Sequence, residues 1–481
     1  MDRQIRRLGI VLVVAFGVLF LQLNRLQIVD ARRLANATGN TRNATRDFSR
    51  ARGAIQAADG TVLAQSVPSH DAFSLQRQYP TGELFAGVTG YFSFTYGTDG
   101  VERTYNDDLS GKTLPVRKLS DLLTTRTRTA TVTLTLDPRI QLAAKNALGI
   151  RRGAVVALDP TNGSILALWS ASSYDPNRLA AHDQNQVRQA WAGYQRQADK
   201  PMLPRAYRER YPPGSTMKVM DTAAVLDQAP DLLSRTYPTL SQLPLPQSDK
   251  PLHNFGGETC GGPIPEMLVI SCDTGFAQVG LDLGPKKLTS EAHAFGLDQA
   301  PPLDLPAPAA SAFPNAAAFT RNLPGLAYSA IGQQDVAATP LEMALVAGAI
   351  ADNGVVQKPH VMAEVRDSEG NLVRQSNPGQ WLQATSPQTA QAIRDIMIQV
   401  VQRGTATNAQ IPGVQVAAKT GTAQTGRNTT DAWLIAFAPA DAPKVAVAVI
   451  VEDQPPQGEV GTGGTVAAPI AKAVLSAVLG K

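Results

Sequence analysis

The chain has 481 residues, of which 43% are hydrophobic and 17% are charged. This length is too great for one average domain, and the composition predicts that most of the chain folds in water around a large core. The net charge of +4 is small for this length and the basic residues are scattered, so no nucleic-acid-binding surface is expected.

The amino-terminal segment predicts a membrane anchor. Residues 8–23 carry no charge and follow three arginines, Arg3, Arg6 and Arg7. As a helix they span about 24 Å, close to the hydrocarbon core of a bilayer. Basic residues ahead of the segment predict a cytoplasmic amino terminus and an exported bulk, in a single-pass protein of the plasma membrane. A cleaved signal peptide is the alternative, although we expect the segment to stay uncleaved.

Turn signals and composition predict three parts. Residues 1–30 form a cytoplasmic tip and the anchor, residues 31–149 form a small β-rich module, and residues 150–481 form the main domain. Within the main domain, residues 153–158 and 164–169 flank a run of turn residues and predict a β-hairpin.

Later elements of the main domain have clear boundaries. Thr339-Pro340-Leu341-Glu342 predicts a helix that begins with a capping box, and a second helix is predicted from Ser386-Pro387 to Gly404. The last hundred residues predict three strands joined by short turns, then a closing helix over 466–479. Short connections favour antiparallel neighbours, so the expected fold class is α+β, an antiparallel sheet flanked by helices.

Ser215 and Lys218 form the first motif that carries chemistry. They are three residues apart in Tyr211-Pro212-Pro213-Gly214-Ser215-Thr216-Met217-Lys218, ahead of an apolar run with helical spacing. This spacing puts a hydroxyl and an amine on one helix face, and a serine becomes a useful nucleophile when a base takes its proton. The pattern alone is weak, because a helix start with a solvated lysine would look the same.

Two further motifs follow in a fixed order. The second is Ser271-Cys272-Asp273, and the third is Lys419-Thr420-Gly421-Thr422 within a predicted strand. A serine–lysine pair, a serine-first triplet and a Lys-Thr-Gly motif together are typical of penicillin-binding proteins and class A β-lactamases. Three ordered motifs are a strong signal, where each one singly is not.

The two cysteines, Cys260 and Cys272, both fall in the part predicted to be exported. An oxidising compartment permits a disulfide between them, which would fix the intervening loop against the serine triplet; two free thiols are the alternative. The five histidines are dispersed, so we expect neither a metal site nor a cofactor.

These motifs, together with Arg52-Gly53-Ala54-Ile55 and Ile331-Gly332-Gln333, resemble those of the class B penicillin-binding proteins. These are membrane-anchored peptidoglycan D,D-transpeptidases, and the likeness is greatest to the actinobacterial cell-division branch. The resemblance covers most of the chain. It implies that residues 150–481 are a transpeptidase domain and residues 31–149 a pedestal or dimerisation module.

The resemblance also implies a role for each motif. Ser215 would attack the carbonyl between the last two D-alanines of a stem peptide, Lys218 would take the serine proton, and Ser271 would relay a proton to the departing amine. The third motif would bind substrate: Lys419 and Thr420 would hold the terminal carboxylate beside Gly421, and the backbone N–H groups of Ser215 and Thr422 would form the oxyanion hole. For this, a neighbouring charge such as that of Lys419 and burial must lower the pKa of Lys218.

Asp273 departs from the family pattern, which has asparagine at this position. An ionised carboxylate only accepts hydrogen bonds, and a direct ion pair with Lys218 would raise the lysine pKa and oppose its role as a base. We therefore expect altered acylation, unless Asp273 is protonated or simply tolerated. Asp431, where many relatives carry histidine, has no evident role.

The resemblance implies as partners the stem peptides, β-lactams, the membrane and a separate glycosyltransferase of the division or elongation machinery. Two alternatives use the same motifs. One is a serine β-lactamase or D,D-carboxypeptidase, which would need neither the anchor nor the extra module. The other is a catalytically weakened scaffold or β-lactam-binding protein, which Asp273 would favour.

Overall fold

The computed structural model describes residues 2–25, 48–71, 73–114, 128–426, 429–455 and 461–481. Its helices are α1 (Asp2–Asn24), α2 (Ala86–Thr89), α3 (Gly100–Thr104), α4 (Asn106–Leu109), α5 (Pro138–Leu148), α6 (Asn177–Ala180), α7 (Gln184–Arg196), α8 (Arg205–Arg208), α9 (Lys218–Gln228), α10 (Ile264–Ile270), α11 (Asp273–Ala294), α12 (Leu323–Ala330), α13 (Pro340–Ala351), α14 (Pro387–Arg403) and α15 (Ala468–Leu479). Its strands are β1 (Ile55–Gln56), β2 (Val62–Pro68), β3 (Leu75–Gln78), β4 (Phe92–Ser93), β5 (Gly97–Thr98), β6 (Ala130–Leu134), β7 (Gly153–Leu158), β8 (Ile165–Ala171), β9 (Tyr237–Leu240), β10 (Gln242–Leu243), β11 (Leu252–His253), β12 (Cys260–Gly262), β13 (Val355–Gln357), β14 (Met362–Asp367), β15 (Leu372–Gln375), β16 (Gln380–Gln383), β17 (Ala417–Gln424), β18 (Thr430–Ala438) and β19 (Val445–Gln454).

The main sheet has five antiparallel strands in the order β17-β18-β19-β7-β8. The predicted hairpin supplies β7 and β8, and the three predicted carboxyl-terminal strands supply β17 to β19. Helix α13 packs against β7, β18 and β19, while α5 and α15 pack on each other and on β8 and β19. Every residue of β18 is buried, because helices cover the sheet. The α+β fold class is therefore confirmed, and β17 is left at an edge of the sheet.

A second sheet joins the amino-terminal module to the main domain. Its six strands run in the order β15-β14-β6-β1-β2-β3. Strand β14 pairs antiparallel with β6, with Val365 opposite Val132. The boundary predicted at residue 149 divides the chain in sequence, but it does not divide this sheet. Strands β14 and β15, which come from residues 362–375 of the main domain, complete the sheet of the amino-terminal module. The division expected at residue 30 lies outside the described residues.

Close backbone approach explains the glycine of the Arg52-Gly53-Ala54-Ile55 motif. A Cβ atom at Gly53 would lie 1.8 Å from the carbonyl oxygen of Ala130, so no other residue fits without backbone movement. Arg52 is buried beside it, and its Nε lies 2.5 Å from the carboxylate of Glu102, which also accepts from Arg77 Nε at 2.6 Å. Burial acts to raise the pKa of Glu102, but the two guanidinium groups outweigh it and hold that pKa below its ordinary value.

The predicted helix starts are found with one difference. Ser386 caps α14 by accepting from the Thr389 backbone N–H, and Gly404 ends this helix. Thr339 caps α13 by accepting from the Glu342 N–H. The predicted return contact of the capping box, from the Glu342 carboxylate to the backbone of Thr339, is wrong. This carboxylate is fully buried and makes no hydrogen bond among the described residues. It packs against Gly296 instead of turning back to the cap.

Helix α1 contains the predicted anchor. Of the helices in the described ranges, it is the one long and apolar enough to cross a membrane. Its large apolar side chains, from Ile5 to Leu23, are exposed and pack on nothing else in the described part of the chain. A helix of this kind fits a single-pass anchor.

Candidate active site

The Ser215 motif lies where a tight turn passes into a buried helix. Ser215 is in a 3-10 turn, Gly214–Thr216, and Lys218 is the first residue of α9. The expectation of one continuous helix is therefore wrong by one turn, although the two side chains still converge on Asp273. Gly214 has φ of 54°, and its N–H donates to the carbonyl of Gly332 at 2.9 Å, which fixes the start of the turn.

Asp273 bridges the serine and the lysine. Lys218 Nζ donates to Asp273 Oδ1 at 2.6 Å, and Ser215 Oγ donates to the same oxygen at 3.3 Å. The other carboxylate oxygen accepts from the Phe255 N–H at 3.2 Å. Asp273 thus forms the direct ion pair with Lys218 that its carboxylate makes possible. It also stands between the nucleophile and the amine expected to take its proton.

Ser271 is held in an uncommon backbone conformation that serves the site. It ends α10 with φ of 64°, in the left-handed region that residues other than glycine rarely adopt. Its carbonyl accepts from Lys218 Nζ at 2.8 Å, and its hydroxyl accepts from Lys419 Nζ at 2.7 Å. Ser271 therefore accepts from both lysines, through its carbonyl and through its hydroxyl, and no other residue in the described ranges accepts from both.

The two cysteines lie within bonding distance beside this triplet. The sulphur atoms of Cys260 and Cys272 are 2.08 Å apart and form a disulfide. The segments on either side of the disulfide loop are joined by Asn254, whose side-chain oxygen accepts from the Thr274 N–H at 2.8 Å. Covalent and hydrogen-bonded links thus surround the turn that carries Ser271 and Asp273.

The third motif lies on the edge strand β17. Lys419 is fully buried and does not line the cleft, while Thr420, Gly421 and Thr422 do. Thr420 Oγ1 lies 2.6 Å from Thr405 Oγ1. The structure therefore brings all the predicted site residues together, but it puts the Lys419 ammonium behind Ser271 and not at the cleft surface.

Burial sets the charge balance of the two lysines. It lowers the pKa of Lys218, and the nearby carboxylate of Asp273 opposes this without cancelling it. The pKa of Lys419 is held well below its ordinary value by burial and then by the positive charge of Lys218. Burial, more than the expected charge of Lys419, is thus what moves Lys218 toward the neutral form that a base requires.

The site opens into a cleft of about 500 Å³ that lies between β17 and the loop before the disulfide. Several lining residues were not identified from the sequence, among them Asn254, Tyr328, Thr405 and Thr462. Nothing in their local pattern marks them, because they come from separate connections that meet only in the folded chain. In the described ranges, no three His, Cys, Asp or Glu side chains converge as a metal site would require.

This arrangement can perform acyl transfer. A serine at the start of a buried helix has a carboxylate–lysine pair within reach of its proton, as covalent catalysis requires. A free strand edge and a row of threonines face it across the cleft, where an extended peptide could pair. The fold and the site define a serine acyltransferase.

Comparison with protein families supports this class. Residues 153–476 match the family model of the penicillin binding protein transpeptidase domain, and residues 52–132 match that of the penicillin binding protein A dimerisation domain. The chain belongs to the penicillin-binding protein transpeptidase family.

Individual relatives match most or all of the chain. Peptidoglycan D,D-transpeptidase PbpA of Mycolicibacterium smegmatis is 40% identical over 498 residues, covering 100% of this chain and 99% of the relative. Peptidoglycan D,D-transpeptidase MrdA of Acinetobacter baumannii is 30% identical, over 83% of this chain and 65% of the relative. The structure of penicillin-binding protein A from M. tuberculosis in a ceftriaxone acyl-enzyme complex superposes with a TM-score of 0.84, at 39% identity, over 90% of this chain and 100% of that chain.

Proposed function

We propose that the chain is a membrane-anchored peptidoglycan D,D-transpeptidase that works through an acyl-enzyme on Ser215 and is acylated by β-lactams. The observation that carries the proposal is that Ser215 and Ser271 line one cleft bordered by the free edge of β17, with the buried amine of Lys218 joined to Ser271 and, through Asp273, to Ser215. The named activity of full-length relatives at 40% identity supports the same reaction.

The first step forms the acyl-enzyme. The Ser215 oxygen attacks the carbonyl between the last two D-alanines while its proton leaves toward the Asp273–Lys218 pair. The developing oxyanion is held by the backbone N–H groups of Ser215 and Thr422, a type of contact worth about 3 kcal/mol. Thr420 and Thr422 hold the terminal carboxylate, and the Lys419 amine lies behind Ser271.

The leaving amine receives its proton through Ser271 and Lys419. Lys419 Nζ donates to Ser271 Oγ at 2.7 Å, so the hydroxyl can pass a proton to the departing D-alanine and be resupplied from the lysine. The amine of a second stem peptide then attacks the acyl-enzyme, which forms the crosslink and frees Ser215.

We also propose the orientation of the protein in the membrane, the role of its amino-terminal module and a partner enzyme. Helix α1 anchors the protein with its amino terminus in the cytoplasm and the catalytic domain outside, as the arginines in its first turns favour. The amino-terminal module (31–149), together with β14 and β15, forms a pedestal next to the transpeptidase domain. A glycosyltransferase of the division or elongation machinery supplies the glycan strands.

Intact-mass spectrometry of the full-length chain in detergent with penicillin tests the proposal. A single adduct that is released slowly and is lost in Ser215→Ala supports the transpeptidase. Rapid release of the adduct supports the β-lactamase or carboxypeptidase alternative. The absence of any adduct on folded protein contradicts an active site and supports the scaffold, which the Asp273–Lys218 ion pair specifically favours.

A further inference from the structure

A surface groove, which we call the end groove, adjoins the catalytic cleft near the start of β17. It has a volume of about 590 Å³ and is formed by residues of α14, of the connection 407–416 and of α15. Thr407 and Asn408 line both the cleft and the end groove, so the two meet at this short turn. The cleft also contains Gln424, the last residue of β17. It therefore extends along the strand from Gln424 to the end groove.

The end groove has an apolar floor and a polar rim. Val401, Ile411 and Val416 are buried and form the floor. The exposed amide side chains of Gln402 and Gln415 lie at the rim. A mostly apolar surface with a few polar groups suits a peptide with small side chains, whose backbone needs hydrogen-bond partners.

Lys472 is the single charged residue among the described residues that line the end groove. It lies on α15 and is partly exposed, and its ammonium group has no hydrogen bond or ion pair within the part of the chain that the structure describes. A positive charge without a protein partner favours a ligand that carries a carboxylate.

The donor peptide occupies the opposite end of the cleft. In the proposed reaction its terminal carboxylate is at Thr420 and its scissile carbonyl is at Ser215 and Thr422. An extended chain paired along β17 then continues toward Gln424, away from the end groove. The terminal D-alanine is therefore the part of the donor nearest the end groove, and it leaves when the acyl-enzyme forms.

The second step of the reaction determines where the acceptor amine must arrive. This step is the reverse of the first with a new amine, so the acceptor nitrogen takes the position that the D-alanine nitrogen has left. The nitrogen bonds to the acyl carbon as the bond from that carbon to Ser215 Oγ breaks. One amine proton passes to Ser271, which restores the proton given to the D-alanine, and the nucleophile regains its own proton from the Asp273–Lys218 pair.

The rest of the acceptor peptide then lies past Thr420. Thr420 Oγ1 is 2.6 Å from Thr405 Oγ1, and the turn with Thr407 and Asn408 follows, so the path from the vacated position leads to the end groove. Val416 is four residues from Thr420, about 13 Å in an extended chain, which is within the reach of a five-residue stem peptide.

We infer that the end groove binds the acceptor stem peptide, with its terminal carboxylate at Lys472 and its amine directed to the acyl carbonyl on Ser215. The ligand is a peptide with a free amine on a side chain and a carboxylate at its carboxyl terminus. The methyl groups of its D-alanines pack on the apolar floor. The inference rests on the proposed function and deepens it, because it assigns a place to the second substrate.

Competition between water and an acceptor peptide for the acyl-enzyme tests the end groove. A small D-alanyl thioester acylates Ser215 of the full-length chain in detergent, and mass spectrometry measures the crosslinked and the hydrolysed product. Two acceptor pentapeptides differ only in ending with a carboxylate or a carboxamide, and an alkene replaces the last peptide bond in both so that neither acts as a donor. We expect the carboxylate peptide to reach half-maximal crosslinking at about tenfold lower concentration, because it adds a charge-assisted hydrogen bond.

Matched variants assign the carboxylate contact, each compared at equal amounts of active protein counted with penicillin. Lys472→Glu is expected to abolish the preference for the carboxylate peptide. Lys472→Arg keeps the charge and should keep the preference. Lys286→Glu makes the same charge change at an exposed position that lines neither the cleft nor the end groove, and its preference should match that of the unmodified protein.

The outcomes separate the end groove from the proposed function. Equal crosslinking of the two acceptors, a preference that survives in Lys472→Glu, or acylation without any crosslinked product would overturn the acceptor site while Ser215 is still acylated. Failure of both penicillin and the thioester to acylate Ser215 would instead contradict the proposed function. Calorimetric binding of the two peptides to the unmodified protein and to Lys472→Glu would then still decide whether the end groove binds a peptide carboxylate.

Discussion

Lys218 and Asp273 form an ion pair at the base of the cleft, with Nζ and Oδ1 2.6 Å apart, and the same oxygen accepts the Ser215 hydroxyl. Burial alone would leave the lysine readily neutral, and the carboxylate works against this. The residue that departs from the family pattern therefore controls how often the base is available. This relationship makes the pH dependence of acylation the most informative property of the site.

Asp273→Asn is expected to speed acylation below the pH at which Lys218 titrates. Loss of the negative charge lowers the pKa of Lys218 further, so the neutral lysine persists to lower pH and the midpoint of the rate profile falls. If the midpoint falls by about one pH unit, the rate at a fixed pH below both midpoints rises about tenfold. Stopped-flow acylation by a penicillin at a series of pH values measures the change, because the rate profile gives the midpoint in each protein.

Asp282→Asn is the matched control for this change. Asp282 lies on the same helix, α11, and pairs at the surface with Arg235 at 2.9 Å, away from the lysines. Its variant should keep the original midpoint. An unchanged midpoint in Asp273→Asn as well would mean that the ion pair does not govern the base.

Glu342→Gln is expected to stabilise the protein at alkaline pH. Burial raises the pKa of Glu342 to about 8 from an ordinary value of 4.5, and its carboxylate has no hydrogen bond among the described residues. The folded state therefore holds a proton that the unfolded state loses above pH 4.5. Its stabilising effect is complete below that pH and is lost as the pH rises through about 8, by at most roughly 5 kcal/mol.

Chemical denaturation between about pH 5 and about pH 9 measures this effect, since the range spans the titration of the folded state. In Glu342→Gln the free energy of unfolding should fall less as the pH rises, because an amide does not titrate. Glu369→Gln removes an exposed carboxylate and should follow the unmodified curve. Parallel curves for Glu342→Gln and the unmodified protein would show that Glu342 does not titrate in this range.

The disulfide is expected to stabilise the active-site turn. Cys260 and Cys272 are 12 residues apart. Closing a loop of this length favours the folded state by about 3 kcal/mol. The double variant Cys260→Ser, Cys272→Ser should unfold at lower denaturant concentration and acylate more slowly, because Ser271 and Asp273 adjoin Cys272.

Thiol titration of the denatured, unreduced protein provides the direct check. The chain has only these two cysteines, so every thiol detected comes from this pair. We expect none before reduction and two after it. Two reactive thiols before reduction would contradict the disulfide.

Gly332→Ala is expected to lower the acylation rate about tenfold or more, since small displacements of a nucleophile are costly. Gly332 has φ of 71°, and a Cβ atom there would lie 2.2 Å from the carbonyl oxygen of Gly214, next to Ser215. The clash must move the turn that carries the nucleophile. Penicillin acylation with a parallel measurement of thermal unfolding separates this effect from loss of the fold.

Gly370→Ala provides the same backbone strain without the clash. Its φ is 83°, and no atom lies within 4 Å of the added Cβ. It should leave acylation unchanged with a small loss of stability, about 1 kcal/mol. Equal acylation by both variants would show that the contact between Gly332 and Gly214 does not position Ser215.

Much of the fold followed from local signals in the sequence. Ser386 and Thr339 cap helices where their spacing from proline indicated, because capping depends on a few neighbouring residues. The hairpin of β7 and β8 and the strands β17 to β19 followed from apolar runs and turn residues. The three motifs likewise identified Ser215, Lys218 and Lys419, since their order along the chain is itself the signal.

What surrounds these residues depends on long-range packing. The pairing of β14 with β6 joins residues more than two hundred positions apart, and only packing of the shared core selects it. Core packing also buries Glu342 without a partner among the described residues, where a capping box was predicted.

At the active site too, some features follow from local sequence and others depend on long-range packing. Residue type and short spacing were enough to indicate the nucleophile, the two lysines, the anchor and the class of fold, because these features are local in the chain. Folding in three dimensions put Asp273 between Ser215 and Lys218, put Lys419 behind Ser271, and joined the cleft at Asn408 to the groove that contains Lys472. These are distances between segments far apart in the chain, which no local pattern encodes.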